Sequence, residues 1–182
     1  MSYITTYSGI HFTPTDPDPS QIEIRDIAHS LSLLCRANGH FKYFYTVAQH
    51  SLACALEAKA RNHSVRVQLG CLLHDAAEAY VSDVTRPIKA LLPEYLPIED
   101  RLFDAIMEKY LGSGLTEDER EKVFEIDDDM LSLEFLEIMP EKLNDRYRKL
   151  QAEIRPHRED EKDVERQFLE LFENLMKEIT AE

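Results

Sequence analysis

Apolar residues in this chain recur at helical spacing far more often than they alternate. Ile27, Leu31 and Leu34 mark a helix that begins at Arg25 and stops at Asn38-Gly39, a pair suited to the left-handed turn after a helix. Thr46 can cap a second helix, with Val47, Leu52, Ala53, Leu56 and Ala60 on its apolar face and an end near Asn62. Ser64 can cap a third, apolar on several sides through Val67, Gly70, Cys71, Leu72 and Leu73 as a central helix should be, and running on through His74-Asp75 to Tyr80. A short helix over Asp83 to Leu92 with Pro87 in its first turn follows, then one over Pro97 to Leu111 ended by Gly112-Ser113-Gly114. Thr116 and Glu119 form a capping box for a long helix reaching about Ile138, ahead of Pro140. A last helix spans Asp160 to about Lys177, with Val164, Phe168, Leu171, Phe172 and Leu175 on one side.

Strand signal is confined to the start. Pro14, Pro17 and Pro19 forbid a helix there, and Tyr3–Tyr7 could pair with Ile22–Ile24 as a small ribbon. The pattern therefore predicts an all-α bundle of six or seven helices. At 182 residues without a linker, one domain is expected: an N-terminal extension or ribbon over 1–24, a helical core over 25–140, and an acidic segment over 141–182, whose stretch from Glu141 to Pro156 reads as loop.

Charge narrows the function classes. Residues 1–96 carry 8 Lys or Arg against 9 Asp or Glu, and residues 97–182 carry 13 against 26, within a formal net charge of -14. An acidic half without a basic stripe repels a phosphate backbone, so extended nucleic-acid binding is disfavoured, whereas a small anion is not. Neither a long apolar run nor a signal-peptide pattern at Met1–Ile4 is seen, so no membrane association and a cytoplasmic location are expected. Cys35, Cys54 and Cys71 form no C-x-x-C pair and read as reduced thiols within apolar helices.

The candidate chemistry lies in His50, the doublet His74-Asp75 and Asp127. Two imidazoles and two carboxylates suit a borderline divalent cation that keeps positions open for water or substrate. An acid directly after Cys71-Leu72-Leu73 is costly unless paired or metal-bound, and the alternative is a buried salt bridge to Arg36 or Arg86. Of Asp127, Asp128 and Asp129, Asp127 is the most inward, beside Ile126 and on one face with Leu131 and Glu134. Glu78 lies four residues after His74, within helical reach of a water at the metal, the alternative being a structural helix-end carboxylate. Asp83 is either a helix cap or a substrate contact. Arg36 either offsets a helix C-terminus or makes a bidentate phosphate contact. His40 is a loop hydrogen-bonder or a second anion contact, and Arg86 and Lys89 add positive charge for a phosphate pocket. His11, His29, His63 and His157 read as structural.

With these flanks, H…HD…D resembles the HD-domain metal-dependent phosphohydrolases, all-α enzymes, and more closely the bacterial and prophage HD-domain 5′-deoxynucleotidases. The similarity is carried by Ile27–Ser32, Cys35–His40, Phe44–Ser51, His74–Tyr80 and Asp83–Lys89, and runs to about residue 140. The resemblance implies His50, His74, Asp75 and Asp127 as ligands of one divalent ion, often manganese or cobalt, with magnesium, zinc, nickel and iron as alternatives. It further implies Glu78 as the residue that positions or activates water, Arg36 as the phosphate-binding arginine, and Asp83 as the acid that contacts the sugar or assists proton transfer. A nucleoside monophosphate substrate and a homodimer are the corresponding expectations. Other phosphoesters (nucleoside triphosphates, cyclic nucleotides, alarmones) and a non-catalytic nucleotide-sensing module are the competing readings. Two departures stand out: Ala37 occupies the place of a Trp thought to help exclude ribonucleotides, and Glu125-Ile126-Asp127-Asp128-Asp129 replaces the more usual Ala-Asp pair.

Overall fold

The computed structural model describes residues 3–141 and 149–181. It is an all-α bundle with a two-stranded N-terminal ribbon. The helices are α1 (Ile24–Leu33), α2 (Val47–Ala60), α3 (Val65–Leu73), α4 (Glu78–Val81), α5 (Arg86–Lys89), α6 (Tyr95–Leu111), α7 (Glu117–Ile138) and α8 (Glu161–Ala181). α3 is central and packs against α2, α6, α7 and α8. Its fit against α7 depends on Gly70, where an added Cβ would stand 3.0 Å from both Leu115 Cδ1 and Val123 Cγ2. α8 closes the bundle over α1, α2 and α3, burying Val164, Phe168, Phe172 and Leu175. That apolar stripe belongs to the core.

Local signals place the helix starts. Thr46 and Gln49 form a reciprocal capping box at α2, with both hydrogen bonds at 3.1 Å, and Thr116 and Glu119 do the same at α7. Ser64 caps α3. Four expectations need correction. The ribbon pairs Ile4–Thr5 with His11–Phe12, not with Ile22–Ile24, because Gly9 at φ 82° turns the chain back early and Ile22 is drawn into the core. α1 stops at Leu33, five residues before Asn38, because Cys35 bridges Thr46 in extended conformation and Arg36 N–H donates to Tyr45 O. The helix expected to run from Ser64 to Tyr80 breaks after Leu73. Hydrogen bonds from Ala76 to Leu73 and from Glu78 to Asp75 tighten the turn there, giving two segments and raising the helix number to eight among the described residues. Finally, Asp83 does not cap α5, whose N-cap is Thr85.

The return from α7 to α8 crosses the bundle without regular structure over residues 149–160; the remaining part of the expected loop, 142–148, lies outside the described residues. It is held by a buried carboxylate. Glu57, fully buried on α2, accepts from the backbone N–H groups of Gln151 and Ala152 at 2.8–3.0 Å and from Arg61 Nε at 2.7 Å. Gln49 reaches the same segment, donating to His157 O at 2.9 Å.

Candidate metal centre

His50 sits in the first turn of α2, His74 and Asp75 at the tightened turn after α3, and Asp127 midway along α7. The folding of these three elements brings four electron-rich atoms together. His50 Nε2 lies 3.0 Å from Asp127 Oδ1, 3.2 Å from His74 Nε2 and 3.8 Å from Asp75 Oδ2; His74 Nε2 lies 3.3 Å from Asp75 Oδ2 and 3.6 Å from Asp127 Oδ1. Ligands about 2.0–2.2 Å from a first-row cation, at tetrahedral or octahedral angles, are separated by roughly 2.9–3.6 Å.

The far side of each ring fixes its tautomer. His74 Nδ1 lies 2.8 Å from Cys71 O, which can only accept, and His50 Nδ1 lies 2.7 Å from the Glu134 carboxylate. Both Nδ1 atoms therefore carry the proton, and in the neutral rings the two Nε2 lone pairs converge on the carboxylates. Such a cluster calls for a cation at its centre, whether protons or a metal. With protons there, the pKa of His50 is raised: burial and Arg36 lower it, and Glu134 and Asp127 outweigh them. His74 is raised well above its usual range as Asp75 and Asp127 overcome burial. Asp75 and Asp127 are lowered despite burial, by their contacts with the two histidines.

Cys54, one turn after His50, places Sγ 3.6 Å from His50 Nε2, so His50, Cys54 and His74 form a buried group able to hold a metal ion. Burial, then Asp127, holds the Cys54 thiol well above its usual range, so it stays protonated at neutral pH. Asp75 and Asp127 are the better anionic donors on this ground. All three cysteines are free; Cys54 and Cys71 are buried and Cys35 is partly exposed.

His74, Asp75 and Asp127 open onto a cavity of about 540 Å³, whereas His50 is fully buried behind them. Arg36, Glu78, Asp83, Arg86 and Lys89 also line it. Glu78 is 3 % exposed; its Oε1 lies 3.5 Å from Lys89 Nζ, and its Oε2 is buried without a hydrogen-bond partner among the described residues. Burial, with Asp75 and Asp83 nearby, pushes its carboxyl well above the usual range. Burial likewise raises Asp83. His40 is the exception: it is exposed and does not line the cavity, because left-handed residues Ala37, Asn38 and Gly39 turn the chain away after Arg36.

The salt-bridge alternative for the doublet is also present, alongside the cluster. Arg36 donates to Asp75 Oδ2 at 3.0 Å, and its Nε lies 3.3 Å from Glu134 Oε2. Arg86 donates to Asp127 Oδ2 at 3.1 Å and pairs with Asp128 at 2.8 Å, while Asp129 is taken by Arg61 at 2.8 Å. The three adjacent carboxylates are thus sorted, and Asp127 alone reaches the histidines.

No family model matches the chain. It is similar to the uncharacterized protein YfdR of Escherichia coli, 42% identical over 110 residues, which cover 60% of this chain and 59% of that protein. An uncharacterized protein of Rhodobacter capsulatus is 39% identical over 104 residues, covering 54% of this chain and 53% of that one. The chain thus spans somewhat over half the length of these relatives.

Glu134 is the residue that sequence reasoning passed over. It is fully buried and ties His50 to Arg36, and so to Asp75. Its only signal was the seven-residue spacing from Asp127, which puts both on one face of α7. No helix among the described residues is long and apolar enough to cross a membrane.

Proposed function

We propose that this chain is a metal-dependent phosphomonoester hydrolase acting on nucleoside 5′-monophosphates, deoxynucleotides included, with manganese or cobalt at His50, His74, Asp75 and Asp127. The observation that carries this reading is the convergence of four donor atoms, three of whose residues line one cavity, beside a buried carboxyl whose second oxygen has no hydrogen-bond partner among the described residues. The HD-domain resemblance of the same residues supports it. A bound divalent ion supplies Lewis-acid charge to the phosphoryl group and eases deprotonation of the attacking water.

The chain's own residues supply the rest. Glu78 Oε2 accepts the water's proton and orients the water toward phosphorus. Arg36, held in place by Asp75 and Glu134, presents positive charge to the phosphoryl oxygens at the cavity floor. Asp83, on the wall of the same cavity, gives a proton to the leaving sugar oxygen.

Charge balance favours a monoester over a triphosphate. Arg36 faces Asp75 and Glu134, Arg86 faces Asp127 and Asp128, and Lys89 faces Glu78 and Glu99. Arg36, Arg86 and Lys89 are thus each matched by two carboxylates and Arg120 by Asp104, which leaves little positive charge on the wall for a polyphosphate.

The test is phosphate release from deoxy- and ribonucleoside mono- and triphosphates with manganese, cobalt, magnesium or chelator. Metal-dependent release from monophosphates is expected, falling about 10²–10⁴-fold in Glu78→Gln with metal affinity retained. Near-normal turnover in that variant, or no release from any monophosphate with metal bound, refutes the reading.

A further inference from the structure

The cavity is far larger than a phosphate group and its attacking water require, and its two ends differ in character. The volume of about 540 Å³ falls within the range of small-molecule sites. The face of α7 that lines it runs Arg120, Phe124, Asp127, Leu131, Phe135, a single stripe at three- and four-residue steps. The metal-facing carboxylate is thus bracketed by apolar side chains, with Phe124 one turn toward the N-terminus, about 4.5 Å along the axis. α6 faces it with Leu96, Glu99, Asp100 and Phe103, again one stripe.

One of these side chains makes little sense as core, and a second, a core residue, carries an arginine on its ring face. Phe124 is 50% exposed although it sits beside fully buried neighbours on the same helix. Phe103 is buried and turns one ring face to Arg120, whose Cζ lies 4.9 Å from the ring centroid and which Asp104 holds at 3.0 Å. A half-exposed ring on a cavity wall, next to an anchored arginine and a second ring, is a surface for a flat π-system.

Resting on the hydrolase reading above, we propose that the α6–α7 wall is the subsite for the leaving group's aromatic ring. Phe124 is its stacking face, and Phe103 with Arg120 forms the edge of the platform. The substrate class is then a phosphomonoester whose alcohol carries a nucleobase, and the base contributes to selection through stacking on the ring face.

Two measurements test this. In the first, kcat/KM is compared for thymidine 5′-monophosphate and 2-deoxyribose 5-phosphate, which share phosphate and sugar and differ in the base. The native chain is expected to prefer the nucleotide at least tenfold, and Phe124→Ala to lower that ratio about tenfold, chiefly through KM, with Phe124→Tyr restoring it. In the second, calorimetry follows binding of thymidine itself, which needs no turnover. Binding to the native chain that weakens about tenfold in Phe124→Ala supports the subsite even if no phosphate is ever released, an outcome that would defeat the hydrolase reading alone. Equal kcat/KM for the two esters in the native chain, or thymidine binding unchanged in a Phe124→Ala protein that melts like the native one, overturns the proposal. Phe124 is exposed enough that the variant is expected to fold, and its melting curve checks this.

Discussion

Glu134→Gln separates a residue that serves the metal from one that serves only the fold. The native carboxylate is fully buried, with Oε1 2.7 Å from His50 Nδ1 and Oε2 3.3 Å from Arg36 Nε, and Arg36 in turn holds Asp75 Oδ2 at 3.0 Å. Glutamine keeps the volume. Its carbonyl oxygen can still accept from His50, but its NH₂ then meets the Arg36 guanidinium, donor against donor. One charge-assisted contact is weakened and another reversed, a loss of about 1.5–3 kcal/mol. Two of the four donor groups, His50 and Asp75, lose part of their orientation at once, so manganese affinity is expected to fall roughly 10–100-fold. The metal-free variant is expected to melt about 3–12 °C lower, at ~2–4 °C per kcal/mol for a chain of this length. Isothermal titration with manganese and paired melting curves read the two effects separately, and turnover should recover at excess metal. A variant that melts lower yet binds manganese with native affinity would show that Glu134 holds only the fold.

Three further outcomes are expected. Gly70→Val drives γ-methyl groups into Leu115 and Val123, where a Cβ alone already stands at 3.0 Å, and should cost about 1–3 kcal/mol in a urea titration; native stability would mean that α3 and α7 can separate freely. Glu57→Ala strands the N–H groups of Gln151 and Ala152 and removes one of the carboxylates that Arg61 pairs with, costing about 2–4 kcal/mol, and limited proteolysis should then cut within residues 149–160 before it cuts the native chain. Melting temperature against pH, with chelator and with manganese, tests the cluster's electrostatics. His50 and His74 have raised folded pKa values, so their contribution is present below the unfolded value and lost as pH rises through the folded one. Asp75 and Asp127 are lowered, so theirs is present above the unfolded value and lost as pH falls through the folded one. The metal-free chain should therefore lose stability as the histidines deprotonate, and the manganese-induced gain in melting temperature should grow over that same interval. A gain that shrinks there contradicts the assignment of the histidines.

What the sequence determined by itself is what a few neighbouring residues encode. Thr46 with Gln49, Ser64, and Thr116 with Glu119 fix helix starts because each cap is closed within three residues, and helical spacing of the apolar positions is enough for the all-α class. His74-Asp75 stood out because an acid after a run of apolar residues demands a partner. Tertiary structure alone decided which partner. Helical spacing at Ile27, Leu31 and Leu34 gave no warning that α1 ends at Leu33, since the Cys35–Thr46 bridge that ends it lies across a turn. Asp127, Asp128 and Asp129 are alike in sequence and are distinguished by His50, Arg86 and Arg61, which approach from other segments. Glu134 meets His50 across 84 positions of chain, and His40, adjacent to a conspicuous motif, is turned out to solvent. Caps and periodicity are local free energies written in consecutive residues, whereas the sharing of buried charge depends on which helices pack together, and that is settled only when the whole core closes.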